Sequence, residues 1–437
     1  MVRDVLAIRR DPLAYLERVV ARYGDLVAFP LPRTPVLLVN HPDGARRLLV
    51  ENARSWSKAT VQYGALSAVT GSGLLTSDGE AWRSRRRTAQ PAFHHGALDA
   101  VASQAVAAAD RVLRTWDALP DGAVADVDAA CMRATLEVVG RTLFDADLAA
   151  PGERIVAAVH EALAVVVARA RTPRPAWLPL PSARRLAAAV STLDGTSAEV
   201  VRARRARGVD EGDTDLLALL LRSALTDREV RDELVTLVIA GHETVASALS
   251  WTLHLLAGHP SMQQRLHAEL DTVLAAGEPP GWGDLGALRY TRQVVDEALR
   301  LYPPAWVLTR RAEADDRVCG VDVPAGTLAI VSPWLLHRRA EDWPDPLRFD
   351  PDRFAAERSS TPRGGYLPFG VGPRLCIGRD FALVECVLAL ATLLRGWRVA
   401  PAADRRPVRV DALVTLRPRG GLPLTLHRRA GRAGAAD

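Results

Sequence analysis

Lysine is almost missing from this 437-residue chain: Lys58 is the only one, so of the 56 lysines and arginines together 55 are arginine. They are interspersed with 51 acidic residues, and the net charge of +5 is a modest excess rather than a basic tail. Aromatic residues make up only 5%, and no basic stripe is interleaved with them, which speaks against a nucleic-acid binder. There are four cysteines, Cys131, Cys319, Cys376 and Cys386, with no CxxC pair and no framework spacing, which fits free thiols in a reducing cytoplasm. The first ten residues contain no continuous apolar run, so neither a signal peptide nor an anchor helix is expected. A chain that is 48% hydrophobic can bury a large core, and no linker divides it. A single catalytic domain over 1–437 is expected, with 428–437 as a disordered tail.

What the chain does have is concentrated in Phe369 to Gly378, Phe-Gly-Val-Gly-Pro-Arg-Leu-Cys-Ile-Gly. Gly370, Gly372 and Gly378 let the backbone bend sharply and turn amide N–H groups inward around Cys376. A sulfur caged in this way can be a thiolate. As a haem iron's single axial ligand, such a thiolate pushes electron density that favours O–O cleavage.

Asp11-Pro12 opens a helical pattern, and Val36 to Val39 reads as a strand in a small edge sheet. Ser57 to Gly73, with Gln62, Tyr63 and Leu66, reads as a polar loop able to lid a pocket. Trp82 and Arg86 are four apart, so one helical face carries an indole N–H and a guanidinium, both donors suited to a carboxylate. Helical periodicity from about 98 to 210 is interrupted at Pro120, Pro151 and the Pro173 to Pro181 cluster, the last expected to be a mobile connection.

Thr226-Asp227-Arg228-Glu229 is a capping box that opens a proline-free run to His259. His242 and Glu243 interrupt its apolar sequence, which argues for a core helix rather than a membrane span. Ala240-Gly241-His242-Glu243-Thr244 is locally unfavourable in mid-helix, and such rule-breaking marks functional sites. A turn opened at Gly241 would leave room for a small ligand such as O2, with the Thr244 hydroxyl donating to it and Glu243 relaying protons. Glu297 and Arg300 share a helical face, and Arg353 offers a second arginine for one buried carboxylate. Tyr302-Pro303-Pro304-Ala305-Trp306-Val307-Leu308 is a stiff apolar segment suited to a pocket wall, followed by Arg310. Val318 to Val321 and Leu328 to Val331 read as a hairpin.

In this order, Trp82/Arg86, Ala240 to Thr244, Glu297/Arg300, Arg353 and Phe369 to Gly378, the chain resembles the cytochrome P450 superfamily over about 12–423. That resemblance implies a mainly α fold with small β-sheets, an α+β architecture, with haem between a long central helix and the Cys-bearing loop. It implies Cys376 as axial ligand to the iron of haem b, with Phe369 beside it. Trp82, Arg86, Arg310 and Arg374 would face the haem propionates, and Glu297, Arg300 and Arg353 would form a scaffold triad. Ala240, Gly241, Glu243 and Thr244 would serve oxygen activation, although many family members have Asp where this chain has Glu243.

Lys58 to Leu66, Ala240 to Leu249, Glu297 to Arg311 and Leu416 to Pro423 are similar to the β-carotene-hydroxylating members from thermophilic bacteria. The pocket is therefore expected to be lined by Gln62, Tyr63, Leu66, Ile239, Ala305, Trp306, Val307, Leu308 and Leu422. The resemblance implies monooxygenation of a long apolar isoprenoid, with carotenoid ring hydroxylation first. Another terpenoid, a fatty acid or a macrocycle is the alternative, and a peroxygenase or a haem-thiolate binding or sensor protein stands for the other classes. Electrons would come from NAD(P)H through a separate ferredoxin and ferredoxin reductase, docking on Arg83, Arg85, Arg87 and Arg379. A cytoplasmic monomer with no transmembrane anchor, touching membranes only transiently to collect substrate, completes the expectation.

Overall fold

The computed structural model describes residues 7–29, 35–146, 154–166, 181–274, 278–357, 364–403 and 407–429, apart from residues 9, 155, 156 and 160. The expected mobile connection falls, except for Pro181, outside the described residues. Of the expected tail, residues 430–437 also lie outside them, whereas Arg428 ends a strand and Arg429 bonds Asp271 at 2.6 Å, so the ordered chain runs further than expected.

The molecule is organised on one helix, Asp227–Gly258, called the central helix below. Its capping box forms as the sequence dictates: the Thr226 N–H donates to Glu229 Oε2 (2.9 Å) and the Glu229 N–H donates to Thr226 Oγ1 (3.4 Å). At 32 residues it spans about 48 Å at 1.5 Å per residue. It is long and apolar enough to cross a membrane, but 83% of its most apolar stretch is buried inside the protein, against helices Val127–Leu143, Arg289–Leu301 and Arg379–Gly396. Packing on nearly every side accounts for its apolarity.

Small sheets flank this helical body. β1 (Leu26–Phe29), β2 (Val36–Val39), β3 (Trp56–Ser57), β5 (Leu308–Ala312) and β8 (Leu328–Val331) form one sheet in the order β1-β2-β8-β5-β3. β2 is flanked on both sides, antiparallel to β1 and parallel to β8, and its four residues are buried, so it is an inner strand of this sheet. The expected hairpin is also re-paired. β6 (Asp316–Val318) turns through Cys319-Gly320 onto β7 (Val321–Val323), and β8 pairs with β5 instead. Cys319 (φ 47°) and Gly320 (φ 84°) supply the left-handed turn that selects this tighter pairing. Further on, β4 (Val124–Asp126), β12 (Pro423–Arg428) and β9 (Trp397–Pro401) form a second sheet, and β10 (Val410–Ala412) and β11 (Leu416–Pro418) a two-stranded hairpin.

Ser57 to Gly73 is not a loop throughout: Val61–Thr70 is a helix, capped by the Thr60 hydroxyl, which accepts from the Tyr63 N–H (3.4 Å). The chain after it is pinned to the central helix. Ser72 N–H donates to Asp232 (2.8 Å) and Leu74 N–H to Glu233 (3.1 Å), and side chains at Gly71 or Gly73 would collide with Asp232 or Thr236.

Candidate active site

The Cys loop is built by backbone conformation before side chains matter. Gly370 (φ 68°) and Gly372 (φ 75°) turn the chain so that the Cys376 N–H donates to the Phe369 carbonyl (3.0 Å). A Cβ at Gly372 would run into the Leu49 carbonyl oxygen, so this glycine serves the packing of the loop, and it does not line the cavity as expected of a cofactor contact. Cys376 is exposed and lines an internal cavity. Burial pushes its thiol up, against the Gly378 N–H and the positive charges of Arg86 and Arg379.

The cavity measures about 320 Å³ and lies between the Cys loop and the central helix. Phe369, Gly370, Cys376 and Gly378 form one wall, and Ile239, Ala240, Gly241 and Thr244 the opposite one. The helix runs unbroken through Gly241, so the expected opened turn is absent. The glycine instead admits a close neighbour, since a Cβ there would sit 3.0 Å from Val139. Thr244 Oγ1 donates to the Ala240 carbonyl (2.6 Å) at the cavity wall.

Gln62, Tyr63, Leu66, Ala305, Val307 and Leu308 line the cavity as expected. Trp306 and Leu422 do not. In the extended segment after Pro304 alternate residues face opposite ways, and Trp306 turns outward to donate its Nε1–H to the Leu413 carbonyl (2.9 Å). Leu422 is fully buried in the core beside β12, and the tip of the β10–β11 hairpin, Val414 and Thr415, takes its place.

Glu243 is buried and faces away from the cavity. Arg417 Nη1 stands 3.8 Å from its carboxylate, and burial pushes its pKa up against the influence of Arg417 and Thr415. Arg417 also bonds Asp128 (2.7 Å), which accepts from Ser250 Oγ (3.0 Å). Leu416, between Thr415 and Arg417, offers its carbonyl to Ser247 Oγ and to Trp251 Nε1 (3.1 Å) on the central helix.

One rim of the cavity is strongly basic. Trp82, Arg86, Arg310 and Arg374 meet there, and so does Lys58, which sequence reasoning left aside because one lysine between Ser57 and Ala59 forms no pattern. Arg86 Nη1 donates to the Leu375 carbonyl (2.8 Å), Arg310 Nη1 to that of Thr309 (2.8 Å), Arg374 Nη1 to that of Ser77 (3.0 Å) and Lys58 Nζ to that of Leu75 (2.8 Å). Arg374 stacks on the Trp82 ring at 3.8 Å and Lys58 on that of Tyr63 at 4.7 Å. Three arginines and a lysine thus converge where, among the described residues, the one carboxylate bonded to any of them is Asp78, held by Arg374. Burial first, then the neighbouring arginines, hold Lys58 well below the ordinary lysine value, and burial brings Arg374 to about 10. A group bearing two carboxylates would relieve this excess. A thiol facing an apolar cavity with a dianion-seeking rim fits a haem with its propionates at that rim.

Away from the cavity, Arg300 Nε and Nη2 pair with both oxygens of Glu297 (2.6 and 2.7 Å), and Arg353 Nε stands 3.5 Å from Glu297 Oε1. His337, missed in the sequence, joins this triad to the Cys loop. Its Nδ1 bonds the Arg300 carbonyl (3.0 Å) and its Nε2 accepts from the Leu367 N–H (2.8 Å). Burial lowers His337 to about 3, so it stays neutral and keeps one acceptor nitrogen. The expected docking patch does not assemble intact. Arg85 is buried on Glu229 (3.2 Å) and Glu233 (3.3 Å), Arg83 and Arg87 both bond Glu80, and Arg379 bonds Asp380 (2.8 Å).

The family model described as Cytochrome P450 matches residues 4–424. The cyclooctat-9-en-7-ol 5-monooxygenase of Streptomyces melanosporofaciens is 37% identical over 92% of this chain and 88% of its own. The chloroplastic protein LUTEIN DEFICIENT 5 of Arabidopsis thaliana is 32% identical over 93% and 72%. Among solved structures, CYP175A1 from Thermus thermophilus is similar with a TM-score of 0.77, 34% identity and 96% of each chain covered. A family match over nearly the whole length joins the cysteine loop, central helix and basic rim described above, and the chain belongs to the cytochrome P450 family, whose members carry haem iron and draw on redox partners.

Proposed function

We propose that this monooxygenase inserts one atom of O2 into a C–H bond of a terpenoid, with a carotenoid ring as its first substrate. The observation that carries this is the apolar cavity between Cys376 and Thr244, with Ile239, Ala305, Val307 and Leu308 in its walls. The similarity to proteins named for cyclooctat-9-en-7-ol oxidation and for lutein deficiency supports the terpenoid class. A smaller cyclic terpenoid is the second reading. The similarity to a protein named as a cyclooctat-9-en-7-ol 5-monooxygenase favours it.

In this reading Cys376 would ligate the iron of haem b, and Trp82, Arg86, Arg310 and Arg374 would hold its propionates. The bound haem supplies oxygen activation. The chain's own residues orient and dry the substrate, and the Thr244 hydroxyl, bonded to the Ala240 carbonyl, would turn from it to donate at the oxygen side. Glu243, behind the cavity wall, would help relay protons towards it. Glu297, Arg300 and Arg353 hold the segment that carries the Cys loop. The domain is single, the molecule a cytoplasmic monomer, and electrons reach it from NAD(P)H through ferredoxin and its reductase. Replacing Cys376 by Ala tests the centre: loss of the thiolate-type reduced carbon monoxide spectrum is expected, and its survival overturns the assignment. A spectral binding titration with carotenoids, compact terpenoids and fatty acids tests the substrate. Preference for fatty acids overturns the terpenoid reading.

A further inference from the structure

Lys58 stands out as the single lysine of the chain, placed where lysines are rarely found. It is 9% exposed, lines the cavity at its basic rim, and has a backbone carbonyl and an aromatic face as its contacts, with no carboxylate among the described residues bonded to its amine. The charged and titratable groups that face it are Arg310 on β5, Arg374 on the Cys loop, Asp78 at the start of helix Gly79–Ala89, and Tyr63 on helix Val61–Thr70. Arg86 lines the same rim. Asp78 is engaged by Arg374 and by the Lys58 backbone N–H, not by the amine. The arginines cannot shed their protons, so Lys58 is the member of the cluster able to relieve its repulsion by doing so.

We propose that Lys58 is the proton-accepting member of the rim, a neutral amine in the haem-free protein and an ammonium partner to a propionate once haem is bound. The proposal rests on the haem reading above. The step balances: the carboxylate arrives ionised, the amine takes one proton from solvent, and an ion pair forms with no other bond changed. Cys376 gives up its thiol proton when it ligates iron, so net proton uptake is informative only as a difference between variants that share that step.

The test compares the full-length wild type with Lys58→Arg, which keeps the charge but cannot lose it. Haem titration in weak buffer near pH 7.5 should take up one more proton per haem in the wild type. The ratio of wild-type to Lys58→Arg haem affinity should fall with rising pH, by up to tenfold per pH unit. A group protonated only in the complex loses affinity in this direction. Equal proton counts with a normal thiolate spectrum overturn the proposal and leave the haem reading standing; failure of both proteins to bind haem overturns both. A second measurement needs no variant. An N-hydroxysuccinimide ester at pH 7.5 should acetylate Lys58 in the haem-free chain at least tenfold faster than a lysine peptide, with peptide mapping separating it from the α-amine. Haem should protect it. Labelling no faster than the peptide overturns the proposal.

Discussion

Two arginine clusters in this molecule are built on opposite accounts of charge. At the scaffold, Arg300 and Arg353 share Glu297, Arg300 directs its remaining N–H groups to the carbonyls of His337, Pro346 and Arg348, and Glu297 also accepts from the Asp350 N–H (2.9 Å). At the cavity rim, Lys58, Arg86, Arg310 and Arg374 face one space, and among the described residues Asp78 is the one carboxylate bonded to any of these side chains. A buried charge that is paired and fully hydrogen-bonded is architecture, whereas a buried excess of one sign is a seat for a partner of the other. A third cluster, Arg85 with Glu229 and Glu233, leans the other way, and burial takes Glu233 to about 7.

Breaking the scaffold should have the largest effect. Arg300→Leu strands Glu297 in the core and should cost about 3–5 kcal/mol, read as loss of folded protein or a large drop in thermal midpoint. Next comes Glu233. Its folded value lies above that of a free carboxyl, so wild-type stability should decline as pH rises from about 4.5 to about 7. The decline is on the order of 3 kcal/mol and Glu233→Gln should lack it, as denaturant titrations at both ends of the window would show. At the rim the sign reverses: Arg310→Met should leave the haem-free protein as stable or more so, yet weaken haem binding by about tenfold, or about 1.4 kcal/mol. Equal losses of haem-free stability at rim and scaffold would dissolve the contrast. Smallest in stability is Thr244→Val, which removes a hydroxyl already satisfied by its own helix and should cost under about 1 kcal/mol. Its signature should be product formed per electron consumed, which falls while folding and the thiolate spectrum hold.

The sequence disclosed the elements whose chemistry is local. Cys376 among its glycines, the capping box at Thr226, and Glu297 three residues before Arg300 carry their signals within a few positions. It failed where partners are remote. Whether Trp306 or its neighbours face inward depends on the phase of an extended segment fixed by the Leu413 carbonyl, 107 residues away. Arg85 reads as one more exposed basic residue until Glu229 and Glu233 are brought against it by folding. β8 had two possible neighbours, and the left-handed turn at Cys319-Gly320 closed β6 onto β7 and released it to β5.

Thr415, Leu416 and Arg417 follow one another along the β10–β11 hairpin, one in the cavity wall, one clasped by Ser247 and Trp251, one against Glu243 and Asp128. With its middle residue clamped to the central helix, this short segment is shared by both sides of the wall: whatever fills the cavity lies against Thr415, and the charge that faces the Glu243 carboxylate is carried two residues further along the hairpin.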